Sequence, residues 1–271
     1  MRHHLDLFVT ATRYALVEHA LNRFALVLVA LFLPVWTSLT YLAIPDAPAR
    51  VHLQAAGRWV APPGNELTAV SGALNAVTLI TGFLMFAATF GGKGFDRRLA
   101  MAGYPRTHLA IAKFAALTLA SAAVAAYAAV VTCLTWTPRQ PLLLAAALFC
   151  AAMTYGVLGV GLASVLHREV EGMFAIVMTS IIDLALQNPV MSSGANDSVV
   201  RYLPSYGAVQ AATAAGFADV VPLRDLAIQI GWFTGAAFIG LIAFRHGTPP
   251  GRAPAEGSRA AKDATPPLPP A

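Results

Sequence analysis

The sequence predicts an all-α integral membrane protein, and its composition and the length of its apolar runs are the two observations that predict it. Of the 271 residues, 57% are hydrophobic and only 11% are charged, with a mean hydropathy of +0.64. A soluble domain typically carries about 25% charged residues. The apolar runs have the length that a helix needs to cross about 30 Å of hydrocarbon, roughly 20 residues. Helices are favoured because lipid cannot satisfy backbone polar groups and because the alternation typical of barrel strands is missing.

Six segments meet this length test and are predicted as transmembrane helices, with boundaries uncertain by a few residues. They are approximately residues 24–44, 67–90, 114–136, 142–166, 173–191 and 226–244. Pro34 and Pro189 are expected to kink the first and fifth spans. The spans form one transmembrane domain over residues 1–246. A Pro-rich tail at 247–271 has too few apolar residues to fold and is predicted to be disordered.

The distribution of basic residues predicts the orientation. Most of the 18 Lys and Arg residues lie in the N-terminal segment, in the connection Gly91–Lys113 and in the tail, which share one side. The positive-inside rule therefore puts both termini in the cytoplasm, in the cell membrane. The net charge of +5 then faces anionic inner-leaflet lipid and requires no nucleic-acid partner. A cleaved signal peptide ending near Ala47-Pro48-Ala49 is the alternative for the first span, although that span and the polar segment before it are longer than usual.

Several segments are expected to lie outside the bilayer. Arg2–Arg23 is mildly amphipathic and predicts an interfacial helix at the inner membrane surface, with a plain cytoplasmic extension as the alternative. The first outer loop, Pro45–Glu66, carries an exposed Trp59, and Arg139 lies in a tight outer turn between the third and fourth spans. The apolar run Ala208–Phe217 is too short to cross. It predicts either a partly embedded or re-entrant helix on the outer face, or a surface helix without membrane contact.

The chain lacks the grouped reactive residues that an enzyme or a metal site requires. Its 7 histidines are scattered over different connections, and no metalloprotease, nucleophile-elbow or paired-carboxylate motif occurs. Gly91-Gly92-Lys93-Gly94 lacks the Ser or Thr that follows the lysine of a phosphate loop. Cys133 and Cys150 fall inside predicted spans and are interpreted as small buried side chains. We therefore expect no enzyme activity, no metal and no cofactor bound by this chain itself.

Asp183 is the one carboxylate deep inside a predicted span. A charge there is costly in lipid, so its side chain is expected to face protein or water. Gln187 follows one helical turn later and is placed to share a hydrogen bond with Asp183, and Asn75 in the second span is a further polar candidate. These residues predict either polar contacts in a translocation path, including a proton relay, or an interhelical hydrogen-bond anchor.

Small residues predict close helix contacts in two spans. Gly156, Gly159, Gly161 and Ala163 give the fourth span a surface that a neighbouring helix can approach closely. Gly231–Gly235 is a G-x-x-x-G pattern on the sixth span. Such patterns are common in Ala- and Gly-rich spans, so they support packing without identifying a dimer face.

Three segments carry a family resemblance. The basic connection reads Arg97-Arg98-Leu99, then Gly103-Tyr104-Pro105-Arg106, then Lys113. The fifth span exits through Asn188-Pro189-Val190-Met191-Ser192-Ser193-Gly194, and Leu203-Pro204-Ser205-Tyr206-Gly207 precedes the short outer run. With six spans and cytoplasmic termini, the chain resembles an ATP-binding-cassette transporter permease of the type-2 export class, as in bacterial multidrug and natural-product exporters. The resemblance extends over about residues 1–246.

The resemblance implies partner chains. Two permease chains, identical or different, would pair with two separate ATPase subunits, and these would bind ATP and Mg²⁺. Asp96–Ala102 matches the position of a short coupling helix, and His167–Gly172 is the other inner loop able to contribute. The residues expected to contact the ATPase are Asp96, Arg97, Arg98, Leu99, Arg168 and Glu169. The alternative for the basic connection is topology and lipid attraction alone, worth about 1 kcal/mol per charge at an anionic surface.

The function implied by the resemblance is export. The chain would be the permease subunit that forms the path for a hydrophobic small molecule, drug or lipid-like compound. Its partners would be the ATPase, a second permease chain and membrane lipid, with no nucleic acid. Two alternatives stay open: a proton-coupled carrier that uses Asp183, and a non-transporting membrane protein such as an immunity or sensor component or a small intramembrane enzyme.

Overall fold

A computed structural model describes residues 9–14, 16–17, 23–103 and 106–246, and the chain is mostly helical over these ranges. The predicted tail at 247–271 lies outside the described residues. So does most of the predicted interfacial helix, of which residues 9–14 and 16–17 are described and helical.

The helices follow one another with short connections. In chain order they are α1 (Arg23–Val27), α2 (Leu33–Ala43), α3 (Gly64–Met101), α4 (Arg106–Thr135), α5 (Pro141–Val165), α6 (Glu169–Gln187), α7 (Tyr206–Phe217) and α8 (Leu223–His246). A π-helical turn, Leu28–Phe32, joins α1 to α2. Two strands, β1 (Val51–Leu53) and β2 (Arg58–Val60), form an antiparallel hairpin between α2 and α3.

Four described helices are long and apolar enough to cross a membrane, and they correspond to four of the six predicted spans. Their candidate spans are Gly64–Phe95 in α3, Ala110–Thr135 in α4, Pro141–Val165 in α5 and Leu223–Ile242 in α8. The first predicted span appears as a shorter apolar helix, Leu28–Ala43. The fifth corresponds to α6, which carries Glu169, Glu171 and Asp183 and is not among the four. A six-span topology therefore stays a prediction.

The two prolines singled out in the sequence behave differently. Pro34 lies two residues after the π-helical turn, whose last hydrogen bond runs from the Leu33 amide to the carbonyl oxygen of Leu28. Because proline cannot donate a hydrogen bond, a widened turn beside it is a physically reasonable distortion. The prediction that Pro189 kinks a helix is wrong, since α6 ends at Gln187 and Asn188 is already extended (φ −91°, ψ 115°). The residue before a proline disfavours helical backbone, which explains this early end.

The basic connection is more helical than the sequence suggests. Residues 91–101 continue α3, and residues 106–113 already belong to α4. The segment Asp96–Ala102 is therefore the end of a 38-residue helix rather than a separate one. The helix stops where Gly103 adopts φ +86°, a left-handed conformation that glycine takes without strain. Residues 104 and 105 lie outside the described part of the chain.

Helices α3 and α5 form the centre of the fold, and α4, α6 and α8 pack around them. A Cβ at Gly159 of α5 would press on the carbonyl oxygen of Gly82 and lie 3.1 Å from the amide nitrogen of Phe86 in α3. Gly156 similarly leaves room for the Leu117 side chain of α4, and Gly161 faces Gly240 of α8. The predicted close-approach surface of the fourth span is thus confirmed. In contrast, no atom of the described residues lies within 4 Å of a Cβ added at Gly231 or Gly235.

Helix α7 is enclosed by protein. Every residue from Tyr206 to Gly216 is buried, against α3, α5 and α8. Helix α7 is therefore packed inside the fold, and its contact with the membrane stays a prediction. The Arg139 turn docks onto the end of α7, where the Gln140 amide bonds to the Ala215 carbonyl oxygen at 2.8 Å and the Arg139 guanidinium pairs with Asp219 at 2.9 Å.

The β-hairpin was not predicted, since the sequence analysis treats Pro45–Glu66 as a loop. Leu53 at the end of β1 is fully buried against Ala214 and Ala218, which pins the hairpin over the end of α7. Trp59 in β2 is 59% exposed, as expected, and makes an edge contact with His52. The hairpin, the Arg139 turn and α7 together form a cap at one end of the helices.

Candidate functional site

Asp183 accepts hydrogen bonds from three sides. Its Oδ2 receives the Tyr155 hydroxyl at 2.6 Å and the Ser205 backbone amide at 3.1 Å, and its Oδ1 receives the Gln187 side-chain amide at 2.6 Å. The side chain is only 2% exposed. These contacts join α5, α6 and the start of α7 at a single carboxylate.

Gln187 extends the contact set of Asp183. Its Nε2 also approaches the Ser205 hydroxyl at 2.9 Å and the Asp183 backbone carbonyl at 3.1 Å. Its Oε1 is buried and has no hydrogen-bond partner among the described residues. A cavity of about 10 Å³ borders this side chain, enough for a single water at most. Gln187 therefore fixes Ser205 beside Asp183, and its Oε1 stays an acceptor without a partner among the described residues.

Gln229 of α8 contacts the residues that precede two partners of Asp183: Thr154, before Tyr155, and Pro204, before Ser205. Its Nε2 donates to the Thr154 hydroxyl at 2.7 Å and to the Pro204 carbonyl at 3.0 Å, and its Oε1 accepts the Ala208 amide at 3.0 Å. Gln229 is fully buried. It therefore joins α8 to α5 and to the first turn of α7.

The two sets form one structure, because Thr154 precedes Tyr155 and Pro204 precedes Ser205. We call Thr154, Tyr155, Asp183, Gln187, Ser205 and Gln229 the outer polar network. Asp183 binds Tyr155 and Ser205, and Gln229 binds the preceding residues, Thr154 and Pro204. Gly207 completes the arrangement, since a Cβ there would collide with the Asp225 carbonyl oxygen and crowd Gln229. The contacts of Pro204, Ser205 and Gly207 thus give a physical reason for these residue types in the Leu203–Gly207 segment.

A second buried polar contact joins α3 to α6. Asn75 donates to the Ser180 hydroxyl at 3.0 Å, and that hydroxyl also shares a hydrogen bond with Thr78 at 2.8 Å. At the exit of α6, Asn188 contacts the Thr68 hydroxyl at 3.4 Å and accepts the Val190 amide at 2.9 Å. Asn75 therefore lies near the helix of Asp183, but it joins a different pair of helices.

The chemistry available to Asp183 follows from its donors. A phenol, a backbone amide and a primary amide all present hydrogens, and these favour a carboxylate that accepts. Such charge-assisted hydrogen bonds are stronger than neutral ones, and losing the acceptor would leave buried donors unpaired. This geometry suits an interhelical anchor. A role in a translocation path stays a prediction.

The two segments expected to contact an ATPase each follow a residue of one hydrogen bond, Lys93 before Asp96–Ala102 and Leu166 before His167–Gly172. Lys93 of α3 donates to the Leu166 carbonyl oxygen at 3.3 Å, in the turn between α5 and α6, and its ammonium lies 4.5 Å from the centre of the Phe90 ring. In that turn, Arg168 lies 3.7 Å from Glu171. Glu169 and Glu171 occupy the first turn of α6, where the helix dipole favours negative charge.

We call the exposed side chains of residues 93–101 and 165–171 the basic-end surface. Arg98, Arg168 and Glu169 are exposed there, and Leu99 is half-buried. The side chains of Asp96 and Arg97 lie outside the described part of the structure. The most exposed apolar residues are ones that the sequence analysis did not select: Phe95, Met101 and Val170, which are 65%, 68% and 77% exposed.

Sequence reasoning also missed four members of the outer polar network, namely Thr154, Tyr155, Ser205 and Gln229. Gln229 had a usable signal, because an amide inside an apolar run must find a partner.

No group of His, Cys, Asp and Glu within the described ranges is arranged to hold a metal ion. No known family model matches the chain, and no curated protein matches it.

Proposed function

We propose that the chain is the membrane-spanning permease subunit of an ATP-binding-cassette exporter. It would form the path for a hydrophobic small molecule, drug or lipid-like substrate in the cell membrane, with both termini cytoplasmic. A second permease chain, identical or different, would complete the path. ATP and Mg²⁺ would bind a separate ATPase subunit. The four helices of membrane-spanning length support the general class.

The observation that carries the proposal is the contact of Lys93 with Leu166. It brings the last turns of α3 beside the α5–α6 turn. Phe95, Met101 and Val170 stand exposed on the basic-end surface among basic side chains. Aromatic residues, Met and Arg are enriched where proteins bind one another. A partner seated there would contact two segments at once and move them together.

The long helix α3 adds a mechanical reason. Its 38 residues correspond to about 57 Å at 1.5 Å per residue, which is longer than the hydrocarbon core. One end of α3 contacts the ATPase in this proposal. The rest of the helix lies at the centre of the fold, so force applied at Arg98 would act on the whole packing.

The second candidate function is a proton-coupled carrier, and the buried carboxylate of Asp183 is the observation that favours it. Under that hypothesis Asp183→Asn abolishes transport, whereas depletion of ATP alone does not. The contacts of Asp183 with Tyr155, Ser205 and Gln187 weigh against it. A relay group must exchange protons with water, and this carboxylate is 2% exposed.

The test is co-purification of the full chain with the ATPase encoded beside its gene. Wild-type chain is expected to capture that ATPase, and Arg97→Glu with Arg98→Glu is expected to release it. Arg58→Glu is the matched control, because Arg58 is exposed on the hairpin at the other end. Val170→Asp should weaken capture without altering any basic residue.

Two results would contradict the proposal. One is the absence of any ATPase partner. The other is equal capture by the wild-type chain and the double charge reversal. Thermal unfolding of each purified variant separates loss of the interface from loss of the fold.

A further inference from the structure

A cavity opens to the surface of the fold between α4 and α8. Among the described residues these two helices make little direct contact, and both pack on α5. Phe114 of α4 and Phe233 of α8 approach across the gap, with ring centroids 6.0 Å apart. Phe114 and Leu241, both well exposed, line the mouth of the cavity.

The interior of the cavity is apolar and of defined size. Its volume is about 130 Å³, and Met85, Leu117, Val157 and Val160 are among the side chains that line it. This is comparable to the cavity of roughly 150 Å³ that holds benzene in an engineered protein core. A space of this size accepts several methylene groups of one alkyl chain.

Two polar side chains also belong to the lining, and each contributes a donor. Lys113 lies half-buried, one turn inside the candidate span of α4, at the basic end. A lysine at that depth keeps its ammonium near the head-group level while its stem packs on apolar surface. Thr89 of α3 is 5% exposed, and its hydroxyl has no hydrogen-bond partner among the described residues. An unpaired buried hydroxyl favours a ligand with an acceptor.

We propose that this cavity binds an anionic membrane lipid. One acyl chain fills the apolar part, the anionic head group binds the Lys113 ammonium, and the ester carbonyl next to the chain accepts the Thr89 hydroxyl. Charge, shape and the unpaired donor select this ligand together. A neutral apolar molecule would leave the Thr89 hydroxyl without an acceptor and would gain nothing from the positive charge of Lys113. The proposal is independent of any ATPase, so it can succeed or fail separately from export.

The experiment uses full-length protein, delipidated in detergent and examined by native mass spectrometry. Phosphatidylglycerol and phosphatidylcholine with identical chains are added separately. We expect the wild-type protein to retain phosphatidylglycerol preferentially, and Lys113→Gln to reduce that preference about fivefold, as expected for one basic residue. Lys93→Gln is the matched control, since Lys93 lies at the same end but does not line the cavity. Its preference should be unchanged.

Two further arms test the apolar part of the site. Val160→Trp fills the cavity and should abolish retention of phosphatidylglycerol, and Leu241→Trp obstructs the exposed mouth if the first variant does not fold. Lysophosphatidylglycerol should bind as the two-chain lipid does, whereas glycerol phosphate without a chain should not. Equal losses in Lys113→Gln and Lys93→Gln would overturn the proposal in favour of general surface attraction. So would retention in both Trp variants.

Discussion

Replacing Asp183 tests whether the outer polar network anchors the helices. We compare Asp183→Leu, which removes both acceptor oxygens at similar volume, with Asp183→Asn, which keeps one. We expect the leucine variant to be strongly destabilised and the asparagine variant only slightly. The difference arises because Tyr155 and Ser205 share one carboxylate oxygen, whereas Gln187 faces the other.

The magnitude follows from the donors left unpaired. In Asp183→Leu the Ser205 amide loses its acceptor, and a buried orphan of this kind costs about 1–3 kcal/mol. The Tyr155 hydroxyl keeps only the long contact with the Thr179 carbonyl oxygen at 3.4 Å, so it adds at most the same amount again. The expected loss in free energy of unfolding is therefore about 1–6 kcal/mol. In Asp183→Asn the carbonyl oxygen can serve both donors. The new amide then faces Gln187, whose unpartnered Oε1 can turn to accept it, so we expect a cost of about 1 kcal/mol or less.

The assay is unfolding of the full purified chain in detergent, followed by heat and by denaturant. Asp219→Leu is the control, because Asp219 forms an exposed ion pair with Arg139, and such pairs contribute about 0–1 kcal/mol. Tyr155→Phe combined with Asp183→Leu should cost less than the sum of the single changes, since the unpaired hydroxyl is gone. Equal stability of Asp183→Leu and wild type, or additive effects in the double variant, would refute the anchor.

Three other variants test the fold at separate places. Gly159→Val should lower the midpoint of thermal unfolding because its side chain meets the α3 backbone, whereas Gly231→Val should leave the midpoint unchanged because that position is open. Gln229→Leu should lower the free energy of unfolding by about 1–3 kcal/mol by leaving a backbone amide of α7 unpaired. Leu53→Asp should release the hairpin and speed its cleavage by an added protease, whereas Trp59→Ala, at an exposed position, should not.

The long helices could be predicted from sequence because one physical requirement dominates them. A run of about 20 apolar residues has few alternatives to a membrane helix, and α3, α4, α5 and α8 follow that rule. Helix α6 is harder to assign because Glu169 and Glu171 precede its apolar part and Asp183 interrupts it. Asp183 is explained by its contacts with Tyr155 of α5 and with Ser205, which periodicity alone does not reveal.

The extension of α3 past Phe90 shows that low helix propensity alone does not end a helix. Gly91, Gly92 and Gly94 each disfavour helix by about 1 kcal/mol relative to Ala, so the sequence suggests a loop. The first strong stop comes later, at Gly103, whose positive φ ends the helix. Helix continues between these points because no residue there removes a backbone donor, as a proline would.

Within the candidate site, only the contact between residues close together on one helix could be predicted from the sequence. Gln187 lies four residues after Asp183 on one helix face, and that pairing is confirmed at 2.6 Å. Tyr155 and Ser205 are 28 and 22 residues away in sequence from Asp183, and Gln229 joins through the neighbouring residues of both. Such contacts depend on how helices pack, and a single sequence does not specify them.

The fold therefore combines an end that the cap holds together with a segment of low helix propensity in α3, near the basic-end surface. The outer polar network and the cap fix α5, α6, α7 and α8 to one another. In α3, Gly91–Gly94 is the segment with the lowest helix propensity, so a push at Arg98 would first bend the helix there. Lys93 lies inside this segment and contacts both Phe90 and the Leu166 carbonyl oxygen. In the proposed exporter, force applied at Arg98 would reach the α5–α6 turn through the Lys93 contact. The end of α3 and this turn would therefore move together before α3 could bend alone.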